Sequence, residues 1–354
     1  MRLILLIFIA ISGYVTWHLW RLTPGGTAVK ITVTALFLLW MVAAFASIGL
    51  RKYLPYRAVV CLYEAGQPWL IVFTYLLIAF VLADFARLFN LIPKSWLNDN
   101  LPVLLSIAAV IAAVMAAGGI HYRHKYREEL SIKTEKAIGR PLTLVLASDL
   151  HIGYSNRRDH LAHWIDMINA ENPDLVLFGG DIVDIRTEPL VEGGYADEFR
   201  RLTAPAFTIL GNHEYISGHD DSEQFLAEAG ITVLKDSAAV FDGIRIIGRD
   251  DRSNPSRKPL SELACGDGLF TILLDHQPYD LGEASAAGID FQFSGHTHRG
   301  QFWPVSWLTD LMYEKSWGHY MLGDTRYYIS SGLGIWGPKI RIGSRSEYLV
   351  LHID

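Results

Sequence analysis

The sequence predicts an α/β domain of two packed β-sheets, preceded by four apolar segments long enough to cross a membrane. Residues 1–120 are almost entirely apolar, whereas residues 121–354 alternate between strand-like and helix-like patterns. From Leu142, the polar part has a strand, a helix and a second strand, and then changes to a hairpin. This order favours two sheets packed face to face with helices outside them.

The composition separates the same two parts. The 354 residues are 51% hydrophobic, with a mean hydropathy of +0.21, which is too apolar for one ordinary soluble domain. Residues 1–120 carry eight Lys or Arg and three acids, while residues 121–354 carry 23 and 34. A polar part this acidic is a poor match for nucleic acid, because contacts to phosphate need Lys and Arg. Cys61 and Cys265 lie in different parts, so we expect no disulfide framework, which fits a reducing compartment.

Each of the four apolar segments has about the 20 helical residues that span a hydrocarbon core. A cleaved signal peptide is the alternative for the first segment, but no small-x-small site follows it. The predicted spans are approximately Leu3–Trp20, Ile31–Leu50, Trp69–Leu88 and Leu101–Ile120.

The distribution of Lys and Arg predicts the orientation. With the N-terminus inside, eight of these residues lie near the inner ends of the spans and four near the outer ends, which favours a cytoplasmic polar domain. We therefore expect an integral protein of a bacterial-type inner or cell membrane. Asp84 and Arg87 are interpreted as an i,i+3 pair at the interface, with an intramembrane polar site as the alternative.

We predict three regions: a transmembrane region at residues 1–120, a juxtamembrane helix and linker at 121–141, and a catalytic domain at 142–354. In the domain, Leu142–Ser148 and Asp174–Phe178 are strand-like and flank a helical pattern at Arg157–Asn169. The remaining predicted elements are strands at Ala206–Leu210, Ala238–Phe241, Ile244–Gly248, Phe270–Leu274, Asp290–Ser294, Arg326–Ser330 and Glu347–His352, and a helix at Ser222–Ala229.

Polar clusters follow several of these strands, where the ligands of an open α/β sheet gather. Asp149 and His151 are i and i+2, so at a strand end we expect both side chains on one face. Any single cluster is explained as well by turn or helix capping, but a series after consecutive strands is not. The further candidates are Asp181 with Asp184, Asn212 with His213, His276, and His296 with His298.

The types of candidate ligand narrow the choice of metal. The candidates offer carboxylate and amide oxygen and imidazole but no thiolate, which suits Mn²⁺, Fe or Zn²⁺ and disfavours a structural zinc site. We favour manganese. Two Asp, one Asn and four His suffice for two divalent ions around a shared carboxylate, which is a two-metal hydrolytic arrangement.

This series resembles the calcineurin-like metallophosphoesterase family. The resemblance covers Leu142 to Asp354 and rests on Asp-x-His, Gly-Asp-x-x-Asp, Gly-Asn-His-Glu, a lone His and Gly-His-x-His. Residues 295–301 and 330–345 are similar to its membrane-associated YkuE/YaeI-type branch. Two departures are Glu214 for the commoner Asp, and Arg299 where the branch often has Gly.

The resemblance implies a four-layer α/β/β/α sandwich and assigns roles to the residues. It places one metal on Asp149, His151, Asp181 and His298, and the other on Asp181, Asn212, His276 and His296. It makes His213 the catalytic histidine, supported by Asp184.

The leading hypothesis is a membrane-anchored, two-metal phosphohydrolase. Hydroxide from a water between the ions would attack a phosphodiester or pyrophosphate of a lipid-linked or membrane-surface substrate. The alternatives are a small soluble phosphate ester as substrate, or a catalytically silent membrane receptor or scaffold, which the complete ligand set disfavours. Membrane lipids are the other expected partners.

Two further groups have open interpretations. Trp317, His319 and Tyr320 precede a strand and either line the site or pack in the core. Arg249, Arg252, Arg257 and Lys258 either bind a second phosphate or headgroup, or belong to a solvated loop.

Overall fold

The computed structural model describes residues 2–264 and 266–354. These residues divide into two compact units, one ending at Gly119 and the other beginning at Ile120. Cys265, one of the two cysteines for which no disulfide framework is expected, lies outside the described residues.

The first unit is helical. Four segments are long and apolar enough to cross a membrane: Leu3–Leu22, Thr27–Gly49, Tyr56–Leu88 and Leu101–Arg123. The four predicted apolar helices are therefore confirmed. The third is made of two consecutive helices, of which the shorter was not predicted. The helices are α1 (Arg2–Leu22), α2 (Thr27–Gly49), α3 (Tyr56–Gly66), α4 (Pro68–Leu88) and α5 (Leu101–Arg123).

The Asp84 carboxylate on α4 joins this helix to α1. Arg87 Nη1 lies 3.2 Å from it, as the predicted i,i+3 pair requires. Tyr14 also donates a hydrogen bond to it at 2.8 Å, and His18 Nε2 lies 2.9 Å away. Since His18 is fully buried, the carboxylate takes part in helix packing as well as in a surface pair.

The predicted juxtamembrane helix is wrong for residues 125–132, which form strand β1 (Lys125–Ile132). This strand pairs in parallel with β12 (Ser346–Ile353). Its charged residues suggested a solvated helix, but alternate positions turn inward, and Leu130 and Ile132 pack against the core between the sheets. Pairing with a distant strand thus overrides the local pattern.

Two six-stranded sheets form the second unit. The first has the order β1-β12-β2-β3-β4-β5, and the second β10-β11-β9-β8-β7-β6. The other strands are β2 (Leu142–Ala147), β3 (Leu175–Phe178), β4 (Ala206–Thr208), β5 (Thr232–Val233), β6 (Ser237–Phe241), β7 (Ile244–Gly248), β8 (Phe270–Leu274), β9 (Phe291–Ser294), β10 (Gly318–Leu322) and β11 (Thr325–Ile329).

The predicted four-layer α/β/β/α sandwich is confirmed. Alternation along β2 shows why: Leu144 and Leu146 pack between the sheets, while Val145 and Ala147 face the helices outside the first sheet. The helices of this unit are α6 (Arg158–Ala170), α7 (Glu188–Glu192), α8 (Tyr195–Phe199), α9 (Asn212–Ser217), α10 (His219–Glu228), α11 (Leu260–Leu263), α12 (Gly282–Ala286) and α13 (Val305–Met312).

The outer layers differ in size. The first sheet is covered by long amphipathic helices such as α6, whose Trp164 and Ile168 are buried. The second sheet is covered by α11 and α12 through a smaller cluster that includes Leu260 and Leu281. The predicted hairpin at Asp242-Gly243 is present, with positive φ at both residues, as its tight turn requires.

Candidate metal centre

The predicted site residues lie at one edge of the sandwich, which we call the carboxyl edge. It is formed by the segments that follow the carboxyl ends of β2, β3 and β4 in the first sheet and β8 and β9 in the second. Parallel pairing of these strands within each sheet brings their following loops to the same edge. Both sheets therefore contribute side chains to one buried cluster.

One group consists of Asp149, His151 and His298, all of them buried. His298 Nε2 lies 3.3 Å from Asp149 Oδ1 and 3.0 Å from His151 Nε2. The backbone N–H of His296 donates to both oxygens of Asp149, at 3.0 and 3.1 Å, which fixes the orientation of this carboxylate. Burial raises the pKa of Asp149 to about 6.

A second group consists of Asp181, His276 and His296. His276 Nε2 lies 3.1 Å from Asp181 Oδ2, and the same oxygen lies 3.8 Å from His151 Nε2 in the first group. His276 Nδ1 donates to the carbonyl of Gly179 at 2.7 Å, so its Nε2 faces the carboxylate with a free lone pair when the ring is neutral. Asp181 thus lies between the two groups.

The backbone explains how the loops turn their side chains inward. Asp149, His151, Asp181, His296 and His298 all have a positive φ, between 44° and 70°. The sequence argument relied on strand alternation for Asp149 and His151, but β2 ends at Ala147. Left-handed residues after the strand, not alternation within it, bring the two side chains together. Such strained residues concentrate at functional sites.

Asn212 begins α9 beside these groups. Its Oδ1 atom is buried and has no hydrogen-bond partner among the described residues. The N–H of the next residue, His213, donates to Asp181 Oδ1 at 2.8 Å. The helix start therefore lies against the central carboxylate with an amide oxygen still free.

The His213 imidazole lies at the side of the cluster and is only partly covered. Its Nδ1 lies 2.8 Å from the Asp184 carbonyl oxygen and 3.2 Å from the Asp184 carboxylate. Burial favours the neutral ring, but Asp181, followed by Asp184, outweighs it and raises the pKa of His213 to about 10. The predicted pairing of His213 with Asp184 is thus present in the geometry.

Glu214 organises the loops, a role that sequence analysis missed. Its fully buried carboxylate accepts hydrogen bonds from the backbone N–H groups of Gly211, Asp181 and Val183, at 2.7, 3.0 and 2.8 Å. Gly211 is the N-cap of α9 and Glu214 is three residues later, at the position where an acid commonly caps a helix start. This spacing was the signal in the sequence that could have identified Glu214. The other two bonds come from a distant loop and leave no local trace.

Arg341 is a second residue whose role was missed. It is buried, and it donates to the carbonyl oxygens of His298, Ser331 and Gly334 at 3.0, 2.7 and 2.8 Å. Burial lowers the pKa of Arg341 to about 10. It ties the His298 loop to the segment before β12, so it supports the site without being placed as a ligand.

The aromatic and basic residues whose roles the sequence left open mostly pack against aromatic rings or form ion pairs with acids. The Arg299 guanidinium lies over the Trp317 ring at 4.4 Å, and the Trp317 Nε1–H donates to Glu347 at 2.9 Å. Arg249 and Arg257 both pair with Asp275, next to His276. In the same groups, the His319 ring contacts Tyr328 and the Tyr320 ring contacts Tyr327. Arg252 pairs with Asp280, and the backbone N–H of Lys258 donates to the Asp236 carboxylate.

The donor set fits divalent cations. Nitrogen and oxygen atoms converge in three groups, of which two meet at Asp181 and the third consists of His151, Asp184 and His213. His276 Nε2 and Asn212 Oδ1 lack hydrogen bonds among the described residues. Buried polar atoms without partners need an explanation, and coordination to an ion supplies one. Imidazole and carboxylate donors without thiolate suit Mn²⁺, Fe or Zn²⁺.

The chain is similar to known proteins. The family model for calcineurin-like phosphoesterases matches residues 142–300. The uncharacterised metallophosphoesterase YkuE of Bacillus subtilis is 30% identical over 270 residues, which cover 68% of this chain and 92% of that protein. An uncharacterised metallophosphoesterase of Helicobacter pylori strain J99 is 31% identical over 226 residues, covering 61% of this chain. A transmembrane protein with a metallophosphoesterase domain from Danio rerio is 31% identical over 264 residues, covering 68%. The matched regions span 60% of each of the last two proteins.

The spacing at Gly295 provides a test of the cluster. A Cβ atom at Gly295 would lie 2.3 Å from Asp149 Oδ2 and 2.6 Å from Ser148 Oγ, so Gly295→Ala must displace this carboxylate. We expect metal affinity to fall roughly 10- to 100-fold, as it does when the support of a ligand is lost. Calorimetric titration of the full-length, metal-stripped protein with Mn²⁺ measures this. Gly282→Ala, where the space around the new methyl group is open, is the matched control and should bind normally. Equal affinities for the two variants would contradict the expected position of Asp149.

Proposed function

Because this chain belongs to the calcineurin-like metallophosphoesterase family, we propose that it is a membrane-anchored phosphohydrolase acting on a lipid-linked or membrane-surface substrate. The family makes it a metal-dependent phosphoesterase. The finer proposal is cleavage of a phosphodiester or pyrophosphate bond. The observation that carries it is the convergence of two candidate ligand groups on the Asp181 carboxylate.

Two divalent cations would be held by these groups, with manganese favoured. Asp149, His151 and His298 would bind one, and Asn212, His276 and His296 the other, while Asp181 would serve both. When bound, such ions acidify a water and offset charge on the phosphoryl oxygens. The remaining chemistry depends on side chains that are not ligands.

His213 is the proposed acid for the leaving group. Its Nδ1 is held by the carbonyl and carboxylate oxygens of Asp184, so Nε2 is the nitrogen free to act on substrate. Nearby carboxylates favour the protonated ring, which suits proton donation to the departing oxygen. Asp184 acts through His213, whose ring it holds in place, and is therefore a positioning residue.

The membrane helices support the choice of substrate. Four apolar segments precede the phosphoesterase domain, and the Danio rerio relative is named a transmembrane protein. A chain fixed in a bilayer meets lipid-linked esters at high local concentration, whereas a soluble ester gains nothing from the anchor. We propose a bacterial-type inner or cell membrane, with the catalytic domain in the cytoplasm.

We retain the proposed regions with one change. Residues 1–120 form the membrane region and residues 142–354 the catalytic domain. The intervening segment was predicted as a linker, but β1 within it is an edge strand of the first sheet. We therefore propose that the catalytic domain begins with β1.

The first prediction separates a catalyst from a ligand. His213→Ala should keep its bound metal and lose rate by roughly 10²- to 10⁴-fold, the usual size of a general-acid contribution. His276→Ala should instead bind metal more weakly, with partial rescue by excess Mn²⁺. Metal analysis of both purified variants, with kinetics on each, measures the difference.

The leaving group serves as an internal control for that experiment. An aryl phosphate ester needs little protonation, so His213→Ala should lose less rate on it than on an alkyl ester. Metal loss from His213→Ala, or equal rate losses on both esters, would exclude the general-acid role.

The second prediction concerns the substrate. The full-length enzyme with Mn²⁺, in mixed micelles, should have a higher kcat/KM for a lipid-linked pyrophosphate or phosphodiester than for the same headgroup without its lipid. A preference of at least about tenfold is expected, since it corresponds to only 1.4 kcal/mol of added binding. Comparable values would favour the small soluble ester, while activity on neither with normal metal content would favour a silent scaffold.

The third prediction concerns topology. Inner span ends carry eight Lys or Arg and outer ends carry four, so a reporter joined after Asp354 should behave as cytoplasmic. Fluorescent protein and alkaline phosphatase fusions at this position give opposite signals on the two sides. Strong phosphatase activity from the fusion would place the domain outside instead.

A further inference from the structure

Helix α13 turns its apolar face toward solvent. Trp307, Leu308, Leu311 and Met312 are 62, 56, 85 and 57% exposed, and they share one side of the helix at spacings of three and four residues. The buried position on α13 is Ser306. A surface helix of a soluble domain normally buries its apolar stripe, so this arrangement is reversed.

The exposed face adjoins the metal centre. A Cβ atom at Gly300, two residues after His298, would lie 2.6 Å from the backbone N of Ser306, so the start of α13 packs on the ligand loop. At the other end, the Tyr313 ring lies 6.2 Å from the His296 ring. Both ends of α13 therefore border the carboxyl edge.

Trp303 extends this surface. Its ring is 36% exposed and packs edge to face on Trp307, with centroids 5.4 Å apart. We call Trp303, Trp307, Leu308, Leu311 and Met312 the apolar patch. Among the described residues of the domain, the other strongly exposed apolar residues are single side chains on separate elements, as on most protein surfaces. They are Val191 on α7, Ile216 on α9, Val240 on β6, Met321 on β10 and Trp336.

The chain enters the catalytic domain at this same edge. Helix α5 ends at Arg123 and β1 begins at Lys125, which pairs with Ser346. Ser346 starts β12, and β12 runs antiparallel to β2, so it begins beside the carboxyl end of β2. The Tyr122 hydroxyl donates to Asn156, whose amide donates to the His151 carbonyl at 3.1 Å.

We propose that the apolar patch inserts into the interface of the phospholipid bilayer that holds the apolar helices. Tryptophan and leucine side chains on the exposed face of a short helix are typical of interfacial insertion. The carboxyl edge, where the last apolar helix joins the domain, then faces lipid headgroups. This inference rests on the proposed membrane attachment and not on the proposed hydrolysis.

A depth probe tests the insertion. The full-length protein with Cys61→Ser and Cys265→Ser is given Leu311→Cys, labelled with a fluorophore that spin-labelled lipids quench, and placed in phosphatidylcholine nanodiscs. Nitroxide-bearing phosphatidylcholine should quench this probe severalfold more than a probe at Val240→Cys. Val240 is a matched control, because it is 58% exposed and pairs with Arg245 near the opposite edge of the second sheet. Met312→Cys provides a second labelling position if the first variant does not fold.

The outcomes separate this inference from the proposed function. Adding His213→Ala should leave the quenching unchanged, so loss of hydrolysis and loss of insertion are independent results. Equal quenching at the Leu311 and Val240 positions would overturn the insertion. Shielding of the probe only in discs that hold two copies, without lipid quenching, would overturn it in favour of self-association.

Discussion

The Asp181 carboxylate is buried between imidazoles that face it from both sheets. One of its oxygens faces His276 and His151, and the other accepts the backbone N–H of His213. Burial alone would raise its pKa, but His276 and His213 hold the pKa well below the usual range. A buried charge is tolerated only where its partners are held in place. Much of the catalytic domain supplies this placement: parallel strands bring the loops to one edge, Glu214 gathers three backbone N–H groups, and Arg341 binds three carbonyl oxygens.

The clustering of the candidate site residues could be predicted from sequence because each follows a strand with a strong local pattern. Asp149, Asp181, Asn212 and His296 all come after short buried strands, and strands of one parallel sheet share an edge. The supporting residues could not be predicted in the same way. Arg341 acts through carbonyl groups that are close only after folding, and Glu214 has one local partner and two distant ones. The left-handed backbone at candidate residues such as Asp149 and His296 also leaves no signal in the composition, since Asp and His adopt it only where the surrounding fold demands it.

The elements of the fold were predicted where burial follows a regular period. The two-sheet core has such a period, whereas the four apolar helices were predicted from the length of their apolar segments, and both are present. Strand β1 was missed because its four charged residues dominate its pattern, while its pairing partner lies more than 200 residues away. Helix α13 was missed for the opposite reason. Its apolar residues face outward and its buried position is Ser306, so the usual rule that the apolar side of a helix is the buried side does not describe it.

The position of β12 has a consequence for biosynthesis. This strand lies between β1 and β2, yet the ribosome makes it after every other strand of the sandwich. Its arrival follows that of β1 by on the order of 10 to 40 s at ordinary rates of synthesis. During that interval β1 has no neighbour to pair with, and the first sheet is open on one side of β2. The first sheet of the phosphoesterase domain can therefore close only after translation has reached residue 353.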